Sequence, residues 1–194
     1  MIAVAALAAF WPRRGWLARR RAARLLAARS RREDALKHIL KAEANGLEPT
    51  IESVAGAVEV RHAWAAELLK ELEAGGLVSF DEGRLRLRAP GRELALHIIR
   101  AHRLWESYLA EQTGVAEVEW HLRAERQEHL LSPQETDALA AQLGHPTLDP
   151  HGDAIPEMGG PLPAERGPSL NTFPLNTPLI ITHEEVDLLF ATIA

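Results

Sequence analysis

Between residues 33 and 92 the apolar period switches from helical to extended, and the order of that switch leaves few architectures open. Leu36, Ile39 and Leu40 lay an apolar stripe on a helix from Glu33 to about Ala44, where Asn45-Gly46 stops it. Thr50 is a natural N-cap for a short second helix marked by Ile51, Val54, Ala57 and Val58. Trp64, Leu68, Leu69 and Leu72 mark a third helix, closed by Gly75-Gly76. Leu77 to Phe80 and Arg84 to Arg88 then alternate with period two about Asp81-Glu-Gly83, which predicts a hairpin ending at Pro90-Gly91. Helix, helix-turn-helix and hairpin, in that order, are the parts of a winged helix.

Such a module meets duplex DNA through its third helix and its wing, where Lys and Arg against phosphate supply most of the affinity. Arg61, His62 and Lys70 on the third helix and Arg84, Arg86 and Arg88 on the hairpin are the side chains placed for that role. Glu59, Glu67, Glu71 and Glu73 lie among the helical ones and oppose it. Winged helices also dock proteins, so both uses stay open at this point.

Charge is divided by position. Residues 1–32 hold nine Arg and no acid, whereas the other 162 residues carry thirteen basic against twenty-seven acidic groups. The head opens with ten apolar residues, about half of what a bilayer span requires, and its arginines follow that run instead of preceding it, the wrong order for a secretory signal. The order matches the inner end of a membrane helix, with Trp11 and Trp16 at the interface and arginines beyond. A basic leader that never enters a membrane accounts for the same residues. Cysteine is absent, which excludes disulfides, thiolate catalysis and Cys-based zinc or iron–sulfur sites.

Residues 93–158 read as helical. A long helix from Glu93 to Thr113 carries His102 and Glu106 one turn apart, and a second, from Val115 to Leu131, carries His121, Glu125, Glu128 and His129 within an arc of about 100°. Two imidazoles and two carboxylates on one face suit a hard or borderline divalent ion, although the same pattern also serves as a solvated face. No activated nucleophile stands beside them, so the expectation is a binding protein and not an enzyme.

Arg100-Ala-His-Arg-Leu-Trp-Glu106, His121-x-x-x-Glu125-x-x-Glu-His129 and Leu143-Gly-His-Pro-Thr-Leu-Asp-Pro-His-Gly-Asp-Ala-Ile-Pro156 together resemble the metal-dependent regulators of the diphtheria toxin repressor and manganese transport regulator family. The resemblance spans roughly residues 33–158. It implies a mainly α fold, an N-terminal winged helix-turn-helix followed by an all-helical metal-binding and dimerisation domain, working as a cytoplasmic homodimer that binds DNA when iron(II) or manganese(II) is bound. It places Asp34, Glu125, Glu128 and His129 on the main metal site, and His102, Glu106 and His121 on an ancillary one, with His121 belonging to the main cluster in the manganese type. Glu125 stands where iron-type members carry Cys, which tilts the expectation toward Mn²⁺ over Fe²⁺. Lys37 stands where manganese-type members have a second acid, and a cation there disfavours two ions. Some metal-transporter permeases carry a similar domain, so a sensor domain at the inner face of a membrane, attached through residues 1–32, is the second reading.

Residues 159–169 have the composition of a linker. Residues 170–194 resemble the opening of the small β-barrel that closes longer family members, and are too short to fold alone.

Overall fold

Leu36, Ile39 and Leu40 do share a buried face, and what they meet there defines the first half of the molecule. The computed structural model describes residues 16–81, 83–157, 159, 160 and 162. Its elements are α1 (Trp16–Ala44), α2 (Ile51–Ala57), α3 (His62–Ala74), β1 (Val78–Asp81), β2 (Arg84–Leu87), α4 (Ala89–Gln112), a 3₁₀ turn at Glu117–Glu119, α5 (Trp120–Glu128) and α6 (Pro133–Gln142). The α1 stripe packs on Val54 of α2, on Leu68, Leu69 and Leu72 of α3, and on Val78 and Leu85 of the hairpin. Thr50 Oγ1 accepts from Ser53 N–H while Ser53 Oγ accepts from Thr50 N–H, so α2 starts at a reciprocal cap. Antiparallel pairing of Val78 with Leu87 and Phe80 with Leu85 places all four on one face of the wing.

The first helix is longer than its apolar stripe. It begins by Trp16 and runs unbroken through residues 32 and 33, where the sequence reading divides head from winged helix. Residues 16–32 are mostly Ala, Leu and Arg, strong helix formers, and nothing between Gly15 and Gly46 breaks the run. The stripe marks where packing starts, not where the helix does: Leu25 is 63% exposed. Among the described residues no helix is long and apolar enough to cross a membrane. The apolar run at residues 1–10, residues 170–194 and most of the linker at 159–169 lie outside the described residues.

α4 is the shaft common to both halves. It opens at Ala89, four residues earlier than expected, because Pro90 sits in the first turn, where no N–H partner is needed. A Cβ on Gly91 would lie 2.1 Å from the Leu77 carbonyl oxygen, so the helix packs directly on the backbone entering the wing. Ala95, Leu96 and Ile99 belong to the first core, and Leu104 to a second core with Leu139, Ala140 and Ile155.

The helix expected over 115–131 divides. Trp120 Nε1 donates to the Val115 carbonyl at 2.9 Å, Val118 is 90% exposed, and only the 3₁₀ turn precedes α5. At the other end α5 stops at Glu128, because Ser132, before Pro133, is extended and caps α6 through a Ser132/Glu135 box. The sequence pattern predicts no element over α6. The loop after it is strapped to α4 by Arg103 Nη1 on the Ala154 carbonyl at 2.5 Å and Arg100 Nη1 on the Pro156 carbonyl at 2.9 Å.

Candidate metal centre

Three groups of donors converge where α1, α4, α5 and the 149–153 loop meet. The donor atoms within each lie within 4.8 Å of one another. Asp34 from α1, Glu128 from α5 and His129 just beyond it form the first. His129 Nε2 lies 3.2 Å from Asp34 Oδ1 and 3.6 Å from Glu128 Oε1, while its Nδ1 lies 2.7 Å from Glu33 Oε2. Burial opposes a charge on this imidazole, but the hydrogen bonds to Asp34 and Glu33 outweigh it and push its pKa up to about 9. It therefore accepts a metal only by giving up a proton.

Glu128 joins this group to the next. Its Oε1 faces Lys37 Nζ at 3.1 Å and its Oε2 faces His102 Nδ1 at 2.6 Å. Burial would raise its pKa, but the Lys37 ammonium and the His102 and His129 imidazoles hold it below the ordinary carboxylate range. The opposite nitrogen of His102, Nε2, lies 3.2 Å from Glu106 Oε1, and His121 Nδ1 lies 3.3 Å from that same oxygen, which makes the second group. Burial works against the Glu106 charge, yet the hydrogen bonds to His102 and His121 leave its pKa far below normal.

The third group, Glu106, Asp149 and His151, uses the other Glu106 oxygen, with His151 Nδ1 3.6 Å from Oε2. Asp149 accepts the His151 and Asp153 backbone N–H groups, and burial raises its pKa. Each group offers imidazole nitrogen and carboxylate oxygen with no sulfur, a donor set that fits a borderline to hard divalent ion.

The four residues expected on one face of the second helix divide: Glu128 and His129 join Asp34, and His121 joins His102 and Glu106. Glu125 is 39% exposed and lies 3.4 Å from His121 Nε2, outside the Asp34 group. His129 leaves the helix and turns to α1. Three participants were not expected from the sequence. Glu33 had a legible signal, since 33, 36 and 40 fall on one helical stripe and an acid on a core stripe seeks a partner. Asp149 and His151 had none beyond their motif, because the loop fold that turns them to Glu106 is set by Arg103 on α4.

Residues 89–157 match the family described as iron dependent repressor, metal binding and dimerisation domain. The metal-dependent transcriptional regulator MtsR has a solved structure that is 32% identical, with a TM-score of 0.64, over 74% of this chain and 67% of that one. The chain belongs to the diphtheria toxin repressor and manganese transport regulator family. The iron-dependent repressor IdeR of Mycobacterium tuberculosis is 32% identical over 133 residues, 66% of this chain and 58% of that protein. A probable metal transport system membrane protein of Chlamydia trachomatis is 42% identical over 82 residues, 42% of this chain and 18% of that protein. The chain therefore spans little more than half of the one relative's length and under a fifth of the other's.

The family's winged helix-turn-helix and helical metal-binding domain are both present, joined through α4. Arg61 occupies the N-cap position of α3 without a side-chain hydrogen bond to it, and His62 follows, its Nε2 3.1 Å from Glu52. Lys70 pairs with Glu67 and Arg84 with Glu48; Arg86 lies on β2, whereas Arg88, expected on the hairpin, follows it at the N-cap position of α4. The basic extension of α1 leans on the same helix, with Arg32 2.6 Å from Glu71 and Arg31 over the Trp64 ring.

Proposed function

We propose that this chain is a transcriptional regulator responsive to a divalent metal, Mn²⁺ ahead of Fe²⁺, that acts in the cytoplasm as a homodimer and grips duplex DNA through α3 and the wing when metal is bound. The observation that carries this reading is the meeting of Asp34, from the winged helix, with Glu128 and His129, from the helical domain. Asp34, Glu128 and His129, with Glu125 at the margin, hold the ion; His102, Glu106 and His121, or Glu106 with Asp149 and His151, hold an ancillary one. The ion supplies a divalent charge that oxygen and nitrogen donors from both halves share, and so favours one arrangement of α1 against α5. The residues do the rest. His129 gives up its proton, Asp34 draws α1 toward α5, and α4 carries the adjustment into both cores. This reading assigns the ligand carboxylates to coordination and gives the chain no catalytic role.

The test is fluorescence anisotropy of labelled random-sequence duplexes with the full chain, with and without Mn²⁺. Metal-dependent binding that Asp34→Ala abolishes is expected, and binding indifferent to metal would refute the reading.

A second reading is favoured by the match to the chlamydial membrane protein and by the acids of α3. In it the chain is a metal-sensing regulatory domain of a metal-ion permease at the inner face of a membrane, associated through residues 1–32, with little affinity for DNA. No duplex binding at low salt in either metal state, with flotation on anionic vesicles, would select it.

A further inference from the structure

Lys37 stands one turn beyond Asp34 on α1, with its side chain 14% exposed and its Nζ 3.1 and 3.3 Å from the two oxygens of Glu128, itself 1% exposed. The carboxylates of Asp34 and Glu125 also act on it. The ammonium is therefore paired with a carboxylate of the proposed main metal site and feels the charge of two more acids, Asp34 and Glu125. Glu128 Oε2 is already taken by His102, so Oε1 is the oxygen that the first donor group contributes toward Asp34 and His129. A divalent ion bonded to Oε1 would lie a few ångströms from the Lys37 ammonium, and the two like charges would repel.

We propose that Lys37 is a tethered competitor of the metal. Filling the main site is then an exchange of the lysine ammonium for the divalent ion at Glu128, and in the metal-free chain Lys37 holds α1 to α5. This rests on the metal-site reading above and goes beyond it: a residue that is not a ligand sets how much free metal the chain needs, and its release reports that the site is full. The metal's hold on the arrangement is reduced to the difference between its own contacts and those Lys37 already makes.

The test uses the full chain and two readouts. Mn²⁺ binding by isothermal titration is compared for wild type, Lys37→Met and Lys37→Gln. Both variants are expected to bind on the order of tenfold more tightly or better, since a like charge has been removed from the site. They are also expected to show a lower Tm without metal and a larger rise with it, whereas a lysine with only a structural role lowers Tm equally in both states. The second readout keeps the native residue: the chain has three lysines, Lys37, Lys41 and Lys70, so amine acylation followed by mass spectrometry resolves each. Acylation of Lys37, relative to Lys70 on α3, should rise several-fold on adding Mn²⁺. Unchanged or weaker Mn²⁺ affinity in both variants, or unchanged Lys37 reactivity at saturating Mn²⁺, overturns the exchange. If Glu128→Gln loses Mn²⁺ binding while the Lys37 variants match wild type, the metal site stands and the exchange alone falls. If Glu128→Gln binds as wild type does, both fall.

Discussion

Glu128→Gln should be among the most damaging isosteric changes in the chain. The glutamate is 1% exposed; both of its oxygens face the Lys37 ammonium, at 3.1 and 3.3 Å, and Oε2 also faces His102. Glutamine keeps the shape and one acceptor but removes the charge, which leaves the Lys37 ammonium in a half-closed site among fewer anions. Breaking a buried pair by removing one partner costs about 3–5 kcal/mol, and the remaining access of Lys37 to water puts this case near 3. For a chain of this size that is a fall in Tm of roughly 6–12 °C. Thermal unfolding of the metal-free protein followed by far-ultraviolet circular dichroism measures it. Glu67→Gln, at the exposed Lys70–Glu67 pair, is the control and should stay within about 0.5 kcal/mol of wild type. A Glu128→Gln loss as small as the control's would refute the network.

The other predictions concern packing and protons. Gly91→Ala forces a methyl onto the Leu77 carbonyl oxygen and should cost about 2–3 kcal/mol in urea unfolding; a loss under about 0.5 kcal/mol would mean that α4 does not rest on that backbone. The pKa of His129, raised to about 9, means that the folded state holds the proton more tightly than the unfolded chain. Its contribution to metal-free stability is complete below about pH 6.5 and is lost as pH rises through about 9. Urea unfolding of wild type and His129→Gln across that range should converge at the alkaline end, and a gap that widens with pH would contradict the assignment. Mn²⁺ titrated near pH 7.5 should release close to one proton, seen as a heat that varies with the buffer's ionisation enthalpy. A buffer-independent heat would show that His129 is not a ligand.

The winged helix was legible because its core is local. Leu36, Ile39 and Leu40, the Thr50 cap and the alternating wing are read at spacings of three, four and two, and the structure keeps each. The α1 extension escaped because apolar periodicity reports burial, and residues 16–32 have little to bury. The metal centre was half legible. The four donors expected on one helical face do not form one group, since α5 ends at Glu128 and they divide between α4 and α1. The contacts that organise it, His102 with Glu128 and His129 with Glu33, join residues 26 and 96 positions apart, and no local period encodes them.

The most direct test of a metal shared between the two halves is anomalous diffraction at the manganese edge from crystals grown with Mn²⁺. A peak bonded to Asp34, Glu128 and His129, with Lys37 turned away from Glu128, is the predicted result. A peak confined to His102, Glu106 and His121, with Asp34 remote from any ion, would contradict it.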